Sequence, residues 1–400
     1  MSVFQQRAYG LIAHHRLRTA LVAMRNTEVL LLMDPNTSDP RTSFPIDGSP
    51  NARYNIYTMS SISRRAFLKL SGAAAAGLTV KPPPPHASNA AGLGRVTEPY
   101  IYLYQEPTFR APVLSTLTRD SLVRLQERTR ADEGPRHNPV WYEIPDGFIH
   151  SGNIQLVEWH PQSPRSDIAE TGEIFEVSVP YTRTYREPDP HSDPLYRLYY
   201  QSTAWVTGSK KDPAGRIWYR LLDDLLNVEY YARAEHLRRI EPDELSPISP
   251  DVPEGEKRIE VDLGQQELFA YEFNRLIFRT RISSGVPDSD PRGGNGIPTD
   301  TPRGQFYVDK KMPLRHMGDG RLTASLDAYE LPGVPWVSYF HVTGVAFHGT
   351  YWHTDYGRPR SHGCINMRPE EAKWLFRWTH PEVEADLKLK SGYGTPVYVY

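Results

Sequence analysis

The chain has a single cysteine, Cys364, in the run Arg360-Ser361-His362-Gly363-Cys364-Ile365-Asn366-Met367. A histidine, His348, lies 16 residues upstream in Phe347-His348-Gly349-Thr350, at the end of the apolar run Val345-Ala346-Phe347. A lone thiol serves as half of an intermolecular disulfide, as an inert buried group, or as a nucleophile. Its neighbours favour the nucleophile. Gly363 lets the backbone approach a substrate closely and frees an N–H for an oxyanion hole. A strand ending at His348 can deliver an imidazole beside the thiol. An ordinary thiol, with pKa ~8.5, is only a few per cent thiolate at neutral pH, so a base is needed. An imidazole in that role is worth about 10²–10⁴-fold. The oxyanion then needs N–H donors, for which the amides of Gly363 and Cys364 are the natural candidates. No Asp or Glu is obviously placed to orient His348, so the Gly349 carbonyl is expected to do so. This set of groups would suit attack of a thiolate on a carbonyl carbon.

A metal reading competes with this one. His341, His348, His353 and His362 fall within 22 residues. A zinc peptidase would use two or three of them with a carboxylate. No His-Glu-x-x-His helix is present, and Cys364 would be left without a role. One cysteine also excludes an internal disulfide and a cysteine-based zinc site. No metal and no cofactor are expected.

The elements that position these residues read as mainly β. Ile259–Leu263, Glu267–Glu272 and Arg275–Ser283 are strand-like, with turns at Gly264-Gln265-Gln266 and Phe273-Asn274. The chain ends in a further strand, Gly394–Tyr400. One helix is clear. Pro369 stands at its first position, Glu370 and Glu371 fill the first turn, and Ala372, Leu375, Phe376 and Thr379 recur at helical spacing.

Upstream lies an internal repeat of ~65–70 residues. Tyr104-Gln105-Glu106-Pro107 precedes Trp141-Tyr142, and Tyr185-Arg186-Glu187-Pro188 precedes Trp218-Tyr219. Each copy opens with a strand-like run, Val96–Leu103 or Ile174–Thr182, and has a middle strand, Leu122–Leu125 or Ala204–Thr207. Pro82–Pro85 and the acidic, proline-rich stretch 241–256 read as linkers.

Composition agrees. The 400 residues carry 46 Lys and Arg against 48 Asp and Glu, a net charge of -2. That balance argues against a dedicated nucleic-acid binder. No apolar run reaches the ~18 residues of a membrane span. The 28 glycines and 36 prolines favour turns and short strands over helix bundles.

Three resemblances follow. Residues 59–91, with Arg64-Arg65, Phe67-Leu68-Lys69 and an Ala/Gly run, resemble a twin-arginine signal peptide. Such signals act at a chain's beginning, so translation is expected to start at Met59 rather than Met1, with 1–58 a mis-assigned upstream extension. The repeats, 96–159 and 172–242, resemble bacterial SH3-like domains. That resemblance implies cell-wall binding, with a passive spacer as the alternative. Residues 257–400 resemble the L,D-transpeptidases, or YkuD family. His348-Gly349-Thr350, Ser361-His362-Gly363-Cys364-Ile365-Asn366, Thr301-Pro302-Arg303-Gly304 and the terminal Gly394-Thr395-Pro396-Val397 carry it. Position 366 is Asn where many members have Arg. A papain-like endopeptidase would place its cysteine before the histidine and on a helix; here the order is reversed.

The implied architecture is two small SH3-like barrels followed by an L,D-transpeptidase-type β-sandwich with one helix. The implied substrate is the peptidoglycan stem peptide, with Cys364 as nucleophile, His348 as proton acceptor and donor, and a 3→3 cross-link as product. The alternatives are an L,D-carboxypeptidase or endopeptidase with the same nucleophile, or a non-catalytic wall-binding protein. Ser361, His362, Asn366, Arg368, Trp336 and Tyr339 are the expected substrate contacts. Each has a structural alternative: loop capping for Ser361 and His362, fixing the turn into the helix for Asn366 and Arg368, core packing for Trp336 and Tyr339. Carbapenems are implied as covalent inhibitors, and the expected location is extracytoplasmic, at the wall.

Overall fold

The structure, a computed structural model, describes residues 92–287, 299–326, 328–384 and 388–400. The expected upstream extension (1–58) and twin-arginine signal (59–91) lie outside the described residues.

Hydrogen bonds repeat between the two upstream segments. Gln105 N donates to Pro112 O and Arg186 N to Asp193 O, each at 3.0 Å, around the two Glu-Pro turns. Asp120 and Gln201 both adopt positive φ, 66° and 63°. Their amides donate to Val96 O and Val177 O, at 2.9 and 3.0 Å. Trp141 and Trp218 each sit in a strand and are fully buried. The periodicity in sequence is therefore a periodicity in backbone geometry.

The sheets of these segments are open, where small barrels were expected. The first segment forms a three-stranded sheet centred on Gly92–Val96, and a five-stranded sheet running from Val113–Thr118 to Arg128–Arg130. The second forms one seven-stranded antiparallel sheet with Pro194–Tyr199 and Leu237–Arg239 at its edges. Pro194 lacks an amide donor where one edge strand begins, and the other edge is three residues long. Neither edge offers a full ladder with which to close the sheet.

Residues 257–400 pack two five-stranded sheets around one apolar core. In the first sheet, Lys257–Asp262 pairs in parallel with Pro396–Val399. The Phe273-Asn274 turn has positive φ at both residues, as a tight two-residue hairpin requires. In the second, the strand order is Ile365–Met367, Ala346–Gly349, Glu330–Tyr339, Lys310–Gly318, Lys390–Ser391. The helix α1, Pro369–Trp378, lies against it. Its apolar residues Ala372, Leu375, Phe376 and Trp378 join Ile259, Val261, Leu268, Phe347 and Ile365 in the core.

Candidate active site

Ala346–Gly349 and Ile365–Met367 run parallel, with His348 opposite Asn366. Parallel neighbours need a crossover of about a dozen residues or more. The chain from Thr350 to Cys364 is that crossover, which explains the spacing between histidine and cysteine. Side chains opposite each other point to the same face, and so do residues two apart in an extended strand. Cys364, two before Asn366, enters the strand on the face that His348 occupies.

His348 is 2% exposed. Its Nδ1 lies 3.0 Å from the Gly349 carbonyl oxygen, which can only accept, so Nδ1 carries the proton and Nε2 is left as the base. Burial holds the imidazole down at about 4, against a smaller opposing pull from that carbonyl. Cys364 is partly exposed and packs beside Val334, Val337, Tyr339 and Ala346. Its thiol is pushed up to about 11 by burial, partly offset by the Ala346 backbone. At neutral pH the resting pair is thiol and neutral imidazole. A thiol in this state would lose its proton only in the course of an attack, not beforehand.

The turn into Cys364 is tied at three points. Gly363 has φ 117°, a region that favours glycine. The Ser361 hydroxyl donates to Cys364 O at 2.5 Å and accepts from Gly363 N at 3.1 Å. Thr301 Oγ1 donates to Gly363 O at 2.7 Å and accepts from Gly285 N at 2.9 Å. The Gly363 amide is thereby engaged by Ser361 and is not presented to an oxyanion, contrary to the sequence expectation. Ser361 itself holds the turn.

The expected substrate contacts separate. Asn366 is buried; its Nδ2 donates to His353 Nε2 at 2.9 Å, and its backbone bridges to Ser283. Trp336 is also buried, with its ring against Phe376. Both side chains are covered by their neighbours. Arg368 precedes α1, pairs with Glu371 at 3.1 Å and covers the Tyr356 ring. Tyr339 lies against Cys364, with Lys310 over its ring. His362 is exposed and meets the ring of Tyr329 edge-on, with centroids 5.5 Å apart. Tyr329 is half exposed, and its phenol is raised by burial and then by the Cys364 charge, which puts it at the mouth of the site.

Sequence reading did not assign a site role to Trp352, whose ring lies 5.7 Å from His348 and which joins the apolar cluster around Cys364. Its position in the crossover loop was the available signal. The four histidines do not converge: His341 bonds Thr343 and His353 bonds Asn366. Among the described residues, no group of three or more His, Cys, Asp or Glu is arranged to hold a metal.

A mainly-β domain that aligns a thiol with a carbonyl-oriented imidazole is equipped for acyl transfer. Residues 256–399 match the family model of the YkuD L,D-transpeptidase catalytic domain. This part of the chain therefore carries an L,D-transpeptidase-type domain, which implies an acyltransferase. A curated relative, named "Putative L,D-transpeptidase YciB" of Bacillus subtilis (strain 168), is 25% identical over 137 residues, 32% of this chain and 63% of its own length. The chain thus spans under two thirds of that relative. Among solved structures, an Enterococcus faecium L,D-transpeptidase mutant is 31% identical, with 36% of this chain and 50% of that one covered and a TM-score of 0.27. The E. faecium L,D-transpeptidase catalytic domain acylated by ertapenem is 32% identical, with 36% and 97% covered and a TM-score of 0.25.

Proposed function

We propose that this protein is an exported peptidoglycan L,D-transpeptidase. The observation that carries the reading is the register of the two parallel strands, which sets His348 and Cys364 on one face with Nε2 of the imidazole free. Cys364 Sγ attacks the carbonyl carbon of the third stem residue, a diamino acid, while His348 Nε2 takes the thiol proton. The amide bond to the terminal D-Ala breaks, and His348 returns the proton to the departing amine. A side-chain amine of a second stem then attacks the thioester. It gives its proton to His348, which passes it to the departing Cys364 sulfur, and the new amide is a 3→3 cross-link. Water as acceptor releases a tripeptide instead. The Cys364 amide is the candidate oxyanion donor, since the Gly363 amide is held by Ser361. Tyr329, His362 and Tyr339 surround the approach to sulfur.

Residues 59–91 direct export by the twin-arginine route, so the enzyme works at the wall. The two β segments act as SH3-like modules, a reading supported by their matching Glu-Pro turns and buried tryptophans. Carbapenems acylate Cys364.

The test is mass spectrometry of products formed from disaccharide-tetrapeptide by the mature protein and by Cys364→Ala. A dimer lacking one D-Ala, formed only by the wild type, is expected. No product from the wild type, or the same products from both, would overturn the proposal.

A further inference from the structure

The Thr350–Arg360 part of the crossover is bound by the first upstream β segment near both of its ends. Near the start, Arg95 Nη2 donates to the Tyr351 carbonyl at 2.5 Å. Arg95 is 1% exposed; its other N–H groups donate to Gln155 and Asp120, and its guanidinium lies 4.0 Å over the ring of Tyr199. At the end of the loop, Arg360 Nη2 donates to Glu98 Oε1 at 2.6 Å. Between them, Thr354 N and Oγ1 donate to the carbonyls of Gly152 and Ser151, at 3.2 and 2.8 Å. His137 Nε2 lies 2.9 Å from Asp355 Oδ1. The approach at Gly152 is close: a Cβ added there would stand 2.8 Å from Asp355 Oδ1.

Each anchor adjoins a residue that contacts His348 or the Cys364 backbone. Tyr351 precedes Trp352, whose ring covers His348. Arg360 precedes Ser361, whose hydroxyl bonds the Cys364 carbonyl. Both anchors therefore act on the placement of the base relative to the nucleophile.

We propose that the first β segment is a positioning part of the active site, its Arg95 and Glu98 holding the crossover loop so that Trp352 and Ser361 fix His348 and Cys364 in register. It acts through the loop and does not touch substrate. The inference rests on the acyl-transfer reading above, and it predicts that the segment cannot swing away from the catalytic domain during turnover.

Two variants test this in the full-length protein. Glu98→Gln removes the ion pair at a part-exposed position, and Gly152→Leu wedges the interface against Asp355. Two rates are measured: carbapenem acylation, and alkylation of Cys364 by iodoacetamide as a function of pH. A misplacement of about 1 Å costs roughly 10²-fold in such a step. Acylation is expected to fall ~10²-fold in Gly152→Leu and about 3–10-fold in Glu98→Gln, with reversible binding of the carbapenem unchanged. The alkylation midpoint should drop from about 11 toward an ordinary thiol, ~8.5, as a loosened Trp352 admits water. Should Gly152→Leu fail to fold, Glu98→Gln alone decides. Wild-type acylation rates and midpoints in the folded variants would overturn the proposal. If the wild type itself resists acylation, the transpeptidase reading fails, while the alkylation profiles still decide the positioning role.

Discussion

His348 and Asn366 face each other across a parallel strand pair, and this single register sets the imidazole on the face that Cys364, two residues before Asn366, enters. Asn366 is spent inward on His353. Its side chain shares a face with His348 and Cys364 but is taken up by that bond. Replacing His348 by Ala should lower carbapenem acylation by about 10²–10⁴-fold, measured by stopped-flow absorbance, with little change in reversible binding. An equal loss in both would mean that the imidazole only shapes the pocket.

The pH dependence of acylation follows from the resting neutral pair. The active form needs His348 without its proton and sulfur still holding one. Burial holds the imidazole at about 4 and the thiol at about 11. The rate of acylation by a carbapenem should therefore be flat from about pH 6 to 9. An acid limb near the ordinary histidine value of ~6.5 would show an exposed or differently held base.

Stability should respond to acid for the same reason. His348 and His353 are buried and neutral, at about 4 and about 3, whereas in the unfolded chain they titrate near ~6.5. Below ~6.5 the unfolded state binds more protons, so stability falls as pH drops from ~6.5 toward 4. It is fully present above that window. Urea unfolding of wild type and His353→Gln, followed from pH 7.5 to 4.5, should show a shallower acid slope in the variant. Parallel slopes would contradict the burial of a neutral His353.

The Thr301 hydroxyl bridges Gly363 O and Gly285 N, both buried. Thr301→Val keeps the shape and removes both bonds. The expected loss is about 1–3 kcal/mol in chemical denaturation, together with slower acylation because the turn before Cys364 loosens. A loss of stability without any change in acylation would show that the turn is set by Ser361 and Gly363 alone.

Local signals in the sequence predicted local structure well. The Phe273-Asn274 turn, the Pro369 helix start and the paired Glu-Pro turns each depend on a few adjacent residues, and each is found where the residue types place it. Facing was harder. Glu330–Tyr339 is buried along nearly its whole length, and Ile365–Met367 throughout. With both faces covered, no alternation of polar and apolar residues shows where Trp336 or Asn366 points. Trp336 also has φ 62°, which breaks the strand's regular alternation. The anchors Arg95 and Glu98 were invisible for a different reason. Their partners lie more than 250 residues away, and a charged residue at or just beyond a strand's end reads as solvent-facing.

Trapping the covalent intermediate tests the central claim most directly. The mature enzyme would be mixed with disaccharide-tetrapeptide, quenched in acid within the first turnover, digested and mapped by mass spectrometry. The account predicts a thioester adduct on the Cys364 peptide, equal to the substrate less D-Ala, and none in Cys364→Ala. Product formation with no adduct on Cys364, or an adduct on another residue, would contradict it.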